Sequence, residues 1–599
     1  MTLRIAALDK EACMPRKCQT ECINFCPVNR MDSECIVLGD EGKALISEEL
    51  CTGCGICIKK CPFDAITIVN LAEELGTDKI HQYGVNEFRL YRLPTLRKGA
   101  VAGLVGRNGV GKSTAINILA GNLKPNLGDW DSQPDWDQVI DTFQTPEVRE
   151  HFQKIAGNEL RVSIKPQAVY QIPQVWKGDG LSMLKKVDER GNSEDLISHL
   201  NLEGSIRKKL SDLSGGELQR LAVAAAACKD ADFYFFDEPS SYNDVYQRLS
   251  VTNVITELAG EGKFVLLVEH DLTLLDYVSD TAQILFGEPG AYGIVSSPMS
   301  SRVGLNVLLD GYLPRENIRF RDQPVKFEIY APLDQDTETP SIAKYPSLLK
   351  RYKEFTLQIT GGELLQGQVM GILGANALGK TTFLKMLAGV EKPSKGEVEI
   401  KAKISYKPQY LSSDYEGDVR SLLSDASGGD LESGLVQSQV VAPLSLNKLF
   451  DKNVASLSGG ELQKVAVSAC LLSDADIYFL DEPSAFIDVE DRITLAKVIQ
   501  KFVRSRGRSA MIVDHDVQLI DIVSDSLMIF SGIPSVKGSA SNPLPKNSGM
   551  DIFLKELGVT YRRDIDTGRP RVNKPGSKLD KKQKEVGRYY YLDKVELEE

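Results

Sequence analysis

The feature that most constrains this sequence is a pair of phosphate-binding loops. Residues 106–113 and 374–381 both match the pattern G-x4-G-K-[ST]. Each loop follows an apolar, strand-like run, at Val101–Val105 and Val369–Leu373, and precedes an apolar helical pattern. Glycines in such a loop let backbone N–H groups surround phosphates, and the Lys neutralises the terminal phosphates. The sequence therefore predicts two nucleotide-binding domains of α/β class in tandem.

Further motifs recur in the same order in both halves of the chain. They are Pro166-Gln167 and Pro408-Gln409, Leu213–Glu217 and Leu457–Glu461, Phe233–Pro239 and Ile477–Pro483, and His270 and His515. The offset from the Ser of the Leu-Ser-Gly-Gly-Glu run to the Asp of the Asp-Glu-Pro run is 23 residues in both copies. Two complete, ordered sets exclude a chance match and indicate an internal duplication.

This ordered set resembles that of the ATP-binding cassette (ABC) ATPases, which implies Mg²⁺-dependent hydrolysis of ATP to ADP and phosphate. In that family the Asp of the Asp-Glu-Pro run is called the Walker B Asp, and the Glu after it polarises the attacking water. The His that follows later in each copy is called the switch His, and it contacts the γ-phosphate. The resemblance therefore implies that the catalytic residues are Glu238, Glu482, His270 and His515. The implied Mg²⁺ ligands are Ser113, Gln167, Asp237, Thr381, Gln409 and Asp481.

The Leu-Ser-Gly-Gly-Glu run of an ABC ATPase is called its signature loop. Paired cassettes of this family face each other head to tail, so that the signature loop of one closes on the ATP of the other. The ATP-binding residues implied for one site are Gly106, Asn108, Gly109, Gly111, Lys112, Ser113, Thr114 and Gln167, closed by Ser458, Gly459 and Gly460. Those implied for the other site are Gly374, Asn376, Gly379, Lys380, Thr381, Thr382 and Gln409, closed by Ser214, Gly215 and Gly216. ATP then joins the two cassettes, and hydrolysis releases them.

Adenine needs a flat partner, and aromatic residues lie 24 to 29 positions before each P-loop Lys. They are Tyr83 and Phe88 in the first copy and Tyr352 and Phe355 in the second. Core packing is the alternative interpretation of these four side chains.

Cysteine is concentrated at the start of the chain, where nine of the eleven cysteines lie within the first 61 residues. Eight form two runs ending in Cys-Pro, and the second run has the C-x2-C-x2-C-x3-C-P spacing of bacterial ferredoxins. This spacing predicts two [4Fe–4S] clusters, with four-cysteine zinc sites as the alternative. By ferredoxin logic, one cluster takes Cys51, Cys54, Cys57 and Cys26, and the other takes Cys13, Cys18, Cys22 and Cys61. The ninth, Cys35, is predicted to be a small buried hydrophobe.

A ferredoxin-like α+β iron–sulfur domain before two cassettes is similar to the E subfamily of ABC ATPases, the RNase L inhibitor or ribosome-recycling family. The likeness also rests on Gly311–Asn317, Tyr561–Asp564 and Arg569–Arg571. It implies ATP-driven splitting of ribosomes after termination or stalling, with clusters acting as structural levers. The implied partners are the small ribosomal subunit, through its RNA and protein, and a peptide-release factor or its stalled-ribosome paralogue. The alternative is an iron–sulfur protein whose ATPase gates electron transfer.

The resulting domain organisation has five parts. They are a ferredoxin-like domain (1–75), a first cassette (76–293), a hinge (294–322), a second cassette (323–545) and a C-terminal hinge with a basic tail (546–599). The first cassette has 55 residues between Lys112 and Gln167, against 29 between Lys380 and Gln409, which predicts a helix-turn-helix insert at about 130–157. No apolar run approaches the ~18–20 residues of a membrane span. We therefore expect a cytoplasmic protein with no membrane partner. Because both cassettes lie in one chain, we also expect a monomer, and we expect no DNA partner because the coiled coils and zinc modules of DNA-repair ABC ATPases are missing.

Three residues depart from the family pattern: Ala377 stands where a glycine is usual, Asn243 where a Leu is usual, and Asp514 where a Glu is usual. The two ATP sites are therefore predicted to be unequal. The tail from Arg562 to Arg588 has ten Lys and Arg against four Asp and Glu, inside a chain of net charge −12. Contact with ribosomal RNA, bracing of the cassettes and simple solvation all remain open for this strip.

Overall fold

The computed structural model describes residues 2–39, 41–72, 79–143, 145–321, 324–325, 327, 340–409 and 415–591. The predicted boundaries at 75/76 and 322/323 lie outside these residues. The chain divides into two compact units. The first unit is Met1–Pro239, Val251–His270 and Val278–Pro324, and the second is Ser240–Ser250, Asp271–Tyr277 and Val325–Glu599. Two short segments from the sequence of the first cassette thus belong to the second unit.

The N-terminal part of the first unit is a small α+β domain. Its elements are β1 (Thr2–Leu8), α1 (Glu21–Asn24), β2 (Ile36–Leu38), β3 (Ala44–Ile46), α2 (Ile56–Lys60) and β4 (Ile66–Ala72). Strands β1 and β4 pair antiparallel, and β2 pairs antiparallel with β3. Most of its cysteines lie in loops and short helices that pack over these strands, and together they form one buried cluster with Ala6, Ile36 and Ile46.

The small domain is tied to the first cassette through one buried asparagine. Asn86 Nδ2 donates hydrogen bonds to the carbonyl oxygens of Ala6 and Ile46, each at 3.0 Å, and its Oδ1 accepts from the N–H of Ile46 at 2.8 Å. The guanidinium group of Arg89 donates two further hydrogen bonds to the carboxylate oxygens of Glu48, at 3.0 and 2.5 Å. The segment that carries both residues follows Tyr83, so a candidate adenine-binding side chain and the attachment of the small domain share one short stretch of chain.

The first cassette is built on a nine-stranded sheet with strand order β5-β6-β12-β11-β7-β10-β9-β8, and β13 pairs with β11. Its strands are β5 (Lys79–Gln82), β6 (Arg89–Tyr91), β7 (Val101–Val105), β8 (Val162–Lys165), β9 (Phe233–Asp237), β10 (Phe264–Val268), β11 (Thr281–Glu288), β12 (Tyr292–Val295) and β13 (Met299–Ser300). Its helices are α3 (Lys112–Leu119), α4 (Trp136–Thr142), α5 (Pro146–Ala156), α6 (Ile172–Val175), α7 (Gly180–Val187), α8 (Ser193–His199), α9 (Gly215–Ala227), α10 (Val245–Gly260) and α11 (Leu272–Val278). Central strands β7 and β9 are buried along their whole length, which explains their nearly continuous apolar sequences.

Helices α4 and α5 occupy the region of the predicted insert. A capping box between Asp135 and Gln138 starts α4, and a proline in the first turn starts α5. Val139 and Phe152 are fully buried and join the hydrophobic core of the cassette. The two helices are therefore packed against the cassette and contribute to its core.

A short segment follows, with α12 (Ser301–Asp310), β14 (Tyr312–Leu313) and β15 (Ile318–Arg319). The second cassette has the strands β16 (Ser341–Tyr345), β17 (Leu348–Arg351), β18 (Thr356–Ile359), β19 (Gly362–Leu365), β20 (Val369–Gly374), β21 (Ile404–Lys407), β22 (Ile477–Asp481), β23 (Ser509–Val513), β24 (Ser526–Ile533), β25 (Lys537–Ala540) and β26 (Leu544–Pro545). Its helices are α13 (Lys380–Leu387), α14 (Val419–Ala426), α15 (Gly434–Val436), α16 (Gly459–Leu472), α17 (Val489–Ser505), α18 (Val517–Val523) and α19 (Lys546–Leu557). The tail forms β27 (Tyr561–Arg563), β28 (Pro570–Val572) and α20 (Lys578–Val586).

The sheet of the second cassette repeats the first strand for strand. Its order is β17-β18-β25-β24-β20-β23-β22-β21, with β26 paired to β24 as β13 is to β11. This confirms the predicted fold class of two tandem α/β P-loop domains preceded by a small α+β domain. Among the described residues, no helix is long and apolar enough to cross a bilayer.

Candidate functional site

The first P-loop joins β7 to α3 at the carboxyl edge of its sheet, where ligands of such sheets bind. Gly111 precedes α3 with a φ of 101°, and a Cβ on it would lie 2.4 Å from the Phe88 ring, so this position requires glycine. Lys112 Nζ donates hydrogen bonds to the carbonyl oxygens of Gly106 (2.8 Å) and Arg107 (3.1 Å). The lysine is thus held inside the loop by main-chain acceptors, as a phosphate-binding cation must be.

The second P-loop has the same architecture between β20 and α13. Lys380 Nζ donates to the carbonyl oxygens of Gly374 (2.8 Å) and Ala375 (2.7 Å), and burial lowers its pKa to about 8. The N–H of Asn376 donates to Asp244 Oδ2 at 2.7 Å. A carboxylate therefore already accepts from one P-loop amide, which shows that this loop presents N–H groups to an anion.

Ala377 adopts the strained backbone conformation that the loss of glycine predicts. Its φ is 57°, and the equivalent Gly109 has a φ of 79°. A left-handed conformation costs a residue with a Cβ about 1–2 kcal/mol relative to glycine. The second loop therefore carries strain that the first loop lacks.

We expect Ala377→Gly to raise the free energy of unfolding of the second cassette by about 0.5–1 kcal/mol, because relief of the strain exceeds the added entropy of the unfolded chain. Thermal unfolding of the full chain checks this. The matched control is Gly109→Ala, whose new Cβ would have a positive φ and lie 3.2 Å from Pro289, so it should destabilise. The same sign of change in both variants would contradict the interpretation.

The residues predicted to act on the attacking water converge in the first cassette. Gln167 Nε2 donates to Glu238 Oε1 at 2.7 Å, and His270 Nε2 lies 3.3 Å from the same oxygen. His270 Nε2 also lies 3.2 Å from Lys112 Nζ. Burial acts to raise the pKa of Glu238, but the hydrogen bond and charge of His270 and the ammonium groups of Lys112 and Lys165 outweigh it and lower that pKa to about 2. The carboxylate is therefore ionised at neutral pH.

The second cassette repeats this constellation. Gln409 Nε2 donates to Glu482 Oε1 at 2.7 Å, and His515 Nε2 lies 3.4 Å from that oxygen. Burial acts to raise the pKa of Glu482, but the hydrogen bond and charge of His515 outweigh this effect and lower that pKa. Asp514, which stands where a Glu is usual, accepts from the N–H (3.0 Å) and the hydroxyl (2.8 Å) of Ser484. Asp514, whose side chain is shorter than that of a Glu, thus fixes the position of the chain two residues after Glu482 by hydrogen bonds.

The two Walker B aspartates have the properties of cation ligands. Burial, together with the neighbouring Glu238, raises the pKa of Asp237 to about 6, and burial raises that of Asp481 to about 6. Among the described residues, neither carboxylate oxygen of Asp481 has a hydrogen-bond partner of standard geometry, although the Thr381 hydroxyl beside it favours its anionic form. A buried carboxylate next to a Ser or Thr hydroxyl fits Mg²⁺, which prefers oxygen ligands.

Two buried lysines contact the ends of the Walker B strands, and neither is predicted from the sequence motifs. Lys165 ends β8 and Lys407 ends β21, and both are buried. Each Nζ donates to the main-chain carbonyl oxygens of the Walker B Asp and of the following Glu, at 2.7 and 3.0 Å for Lys165 and at 2.7 and 3.1 Å for Lys407. Burial lowers the pKa of both to about 8. The repeated Lys-Pro-Gln triplet was the signal that would have identified them.

Each signature loop begins a helix. Ser214 caps α9 and Ser458 caps α16, and each forms a capping box with the Glu three residues later. The following glycines, 215 and 216 or 459 and 460, form the first turn of the helix, so their N–H groups are available to an anion. The pairing of each P-loop with the signature of the opposite cassette stays a prediction.

The four candidate adenine-binding aromatics divide into two kinds. Tyr83 and Tyr352 are exposed, and the Tyr83 hydroxyl lies 3.2 Å from the Thr114 hydroxyl on α3. Phe88 and Phe355 are partly buried and pack against the hydrophobic cores of their cassettes. Core packing therefore applies to the two phenylalanines, and adenine stacking stays a prediction for the two exposed tyrosines.

The predicted cluster ligands gather in two groups. Cys13, Cys18, Cys22 and Cys61 line one cavity in the small domain, with apolar neighbours such as Phe63 and Ile66. In the other group, burial and then Cys51 and Cys54 raise the pKa of Cys57 to about 11, and the Cys35 thiol, itself buried, interacts with Cys26 and Cys51. None of the eleven cysteines, all of them described, forms a disulfide.

The cysteine groups could hold either iron–sulfur clusters or zinc, and these differ in how they arrange their thiolate ligands. In the described part of the chain no three His, Cys, Asp or Glu side chains are gathered closely enough to hold a single ion. Thiolates that bind a cubane are spread over separate irons, whereas zinc gathers four sulfurs around one ion at about 2.3 Å. The Cys-x2-Cys-x2-Cys-x3-Cys-Pro spacing of the second run is typical of iron–sulfur clusters.

Two arginines of the basic tail are buried in an ion-pair cluster within the second unit. Arg571 contacts both carboxylate oxygens of Asp276, at 2.6 and 2.8 Å, and Asp564 at 3.2 Å. Arg569, which is 0% exposed, lies 3.3 Å from Asp276. Asp276 is part of α11, from the sequence of the first cassette. These two arginines are therefore paired with an acidic side chain and are not simply solvated, while bracing of the cassettes by the strip stays a prediction.

Comparison with known proteins agrees with this geometry. The family model described as "ABC transporter" matches residues 94–241 and 357–485. The model "4Fe-4S binding domain" matches residues 44–67, and "Possible Fer4-like domain in RNase L inhibitor, RLI" matches residues 3–34. These matches and the P-loop geometry identify an ATP-binding ABC ATPase with an iron–sulfur domain.

Several relatives match along the whole chain. "ABC transporter E family member 1" of Arabidopsis thaliana is 46% identical over 596 residues, with 98% of this chain and 99% of that protein covered. "Translation initiation factor RLI1" of Saccharomyces cerevisiae is 44% identical over 599 residues, with 98% of each covered. A solved structure, "Model of ribosome-bound archaeal Pelota and ABCE1", superposes with a TM-score of 0.92 at 49% identity and covers 99% of this chain and 100% of that one. The chain therefore belongs to the E subfamily of ABC ATPases, the RNase L inhibitor family.

Proposed function

We propose that this protein is a ribosome-recycling ATPase that splits ribosomes into subunits after termination or stalling, and that it transports no solute. The observation that carries the proposal is the full-length match to the ribosome-bound archaeal relative, which includes the small domain and both cassettes. The proposed partners are the small ribosomal subunit, through its RNA and protein, and a peptide-release factor or its stalled-ribosome paralogue. A ribosomal target also places the protein in the cytoplasm, where it acts as a monomer.

The hydrolytic step follows from the two constellations. ATP binds with its phosphates in the P-loop, stacks on Tyr83 or Tyr352, and is closed by the signature loop of the opposite cassette. Mg²⁺, when bound, neutralises phosphate charge and is held by the Walker B Asp, the P-loop hydroxyl and the Gln-loop amide. Glu238 or Glu482 accepts a proton from the attacking water, which its Gln partner helps to orient, and the switch His stabilises charge on the γ-phosphate.

We further propose two [4Fe–4S] clusters, held by the two cysteine groups. The first takes Cys13, Cys18, Cys22 and Cys61, which line the same cavity. The second takes Cys26, Cys51, Cys54 and Cys57. Because Asn86 ties this domain to the segment that follows Tyr83, closure of the first cassette around ATP is transmitted to the iron–sulfur domain. The five-part division at 75/76, 293/294, 322/323 and 545/546 is retained as the proposed domain organisation.

Co-sedimentation with small ribosomal subunits tests the ribosomal role. The Glu238→Gln/Glu482→Gln variant, which traps ATP, is compared in ATP and in ADP, using protein that carries its iron. We expect retention on the subunit in ATP only, because closure of the cassettes requires unhydrolysed nucleotide. Equal recovery in both nucleotides, or none in either, would refute the proposal and favour ATPase-gated electron transfer instead.

A further inference from the structure

The inference concerns the two buried lysines that precede the Gln loops. Lys165 is 0% and Lys407 is 2% exposed. An ammonium group is costly to remove from water unless its donors are satisfied. In both lysines the donors point to a pair of consecutive main-chain carbonyl oxygens at the end of the Walker B strand. The same costly arrangement is thus present in both cassettes.

The carbonyls that receive these hydrogen bonds belong to a strained turn. Glu238 has a φ of 46° and Glu482 a φ of 48°, in the left-handed region that residues with a Cβ rarely adopt. Carbonyls alternate in direction along a regular strand, but a left-handed residue at its end brings two successive carbonyls together. Their dipoles repel each other, and a cation between them relieves that repulsion. The ammonium group therefore stabilises the conformation from which each Glu side chain reaches the site.

Each lysine also lies on the strand that leads into the Gln loop. Lys165 is two residues before Gln167, whose side chain donates to Glu238 Oε1 at 2.7 Å. Lys407 stands in the same relation to Gln409 and Glu482, also at 2.7 Å. One lysine therefore links the backbones of both partners in the Gln–Glu hydrogen bond.

We propose that Lys165 and Lys407 are positioning residues for ATP hydrolysis: each fixes the left-handed turn that aims the adjacent glutamate at the attacking water. This inference rests on the proposed role of Glu238 and Glu482 in hydrolysis. It assigns the lysines no contact with nucleotide, so they act on the rate of the chemical step and leave ATP affinity unaltered.

The test replaces each lysine by methionine, which keeps the length of the side chain and removes its donors. Lys165→Met and Lys407→Met are each expected to lower single-turnover hydrolysis at the altered site at least about 10-fold, because small displacements of a reacting group have effects of that size or larger. The dissociation constant of a fluorescent ATP analogue should change by less than about twofold, as expected for a residue that acts only in the transition state. Lys177→Met and Lys403→Met, which alter exposed lysines of the same two cassettes, are the matched controls.

A second readout separates positioning from general stability. In a chain that already carries Glu238→Gln, the further change Lys165→Met should add little loss of rate, because the group that it positions is gone. If the Met variants do not fold, Lys165→Gln and Lys407→Gln, which retain an uncharged NH2 donor group, carry the same test and should show a smaller fall. An unchanged rate, an additive loss in the Gln background, or an equal fall in rate and ATP affinity would each overturn the inference. Failure of the proposed function is visible separately, as a Glu238→Gln/Glu482→Gln chain that hydrolyses ATP at the unmodified rate.

Discussion

Glu238→Gln and Glu482→Gln should each keep ATP binding and lower the hydrolysis rate of the altered site by about 10²-fold or more, the usual contribution of a positioned base. Each carboxylate accepts a hydrogen bond from its Gln-loop amide and is kept ionised by the nearby switch His. An amide of the same shape retains the packing but cannot take a proton. Single-turnover phosphate release, with ATP binding measured alongside, checks the expectation.

The two variants should also differ from each other in steady-state turnover. The second site has a strained Ala377 in its P-loop and a shorter acid, Asp514, before its switch His. Identical steady-state rates for Glu238→Gln and Glu482→Gln would contradict the predicted inequality of the sites. Glu257→Gln, on the exposed face of α10, is the control and should leave both rates unchanged.

Asp276→Ala should destabilise the packing of the C-terminal tail by about 3–5 kcal/mol, the range observed when one partner of a buried ion pair is removed. The substitution leaves the guanidinium groups of Arg569 and Arg571 buried without this acid, and burial already lowers the pKa of Arg569. Hydrogen exchange of the amides in β27 and β28 measures the effect, because it reports the local opening of this hairpin.

A double substitution provides the control for this cluster. Arg569→Met removes one of the two charges that Asp276 neutralises, so the cost of Asp276→Ala should be smaller in that background. Exchange in β7 and β9, in the core of the first unit, should remain unchanged in all of these variants. A loss of protection below about 1 kcal/mol on Asp276→Ala would mean that the ion pair is not a determinant of tail packing.

The parts of the site formed by residues close together in the sequence could be predicted from the sequence alone. P-loop glycines, the Walker B acids and the Cys-Pro runs carry their function in their spacing, and Ala377 has the positive φ that favours glycine. Lys165 and Lys407 were missed because a lysine at the end of a strand normally indicates an exposed edge. Their burial depends on the turn after a different strand, about 70 residues further along the chain.

Tertiary contacts decided the questions that the sequence left open. Simple solvation was one of three interpretations of the basic strip, and for Arg569 and Arg571 it is excluded by their contacts with Asp276, which lies nearly 300 residues away in the sequence. The aromatics before the P-loops were likewise ambiguous, because exposure alone distinguishes Tyr83 from Phe88. Pairings of this kind depend on the folded geometry and leave no periodic pattern in the chain.

The repeated strand order has a consequence for the history of the protein. An ancestor with a single cassette would have formed a symmetric dimer, in which every substitution enters both sites together. Once two copies are fused in one chain, a change such as glycine to Ala377 enters one site and leaves Gly109 in the other. Fusion therefore allows a single mutation to alter one ATP site alone, and the strained Ala377 in the second P-loop is such a difference between the two sites.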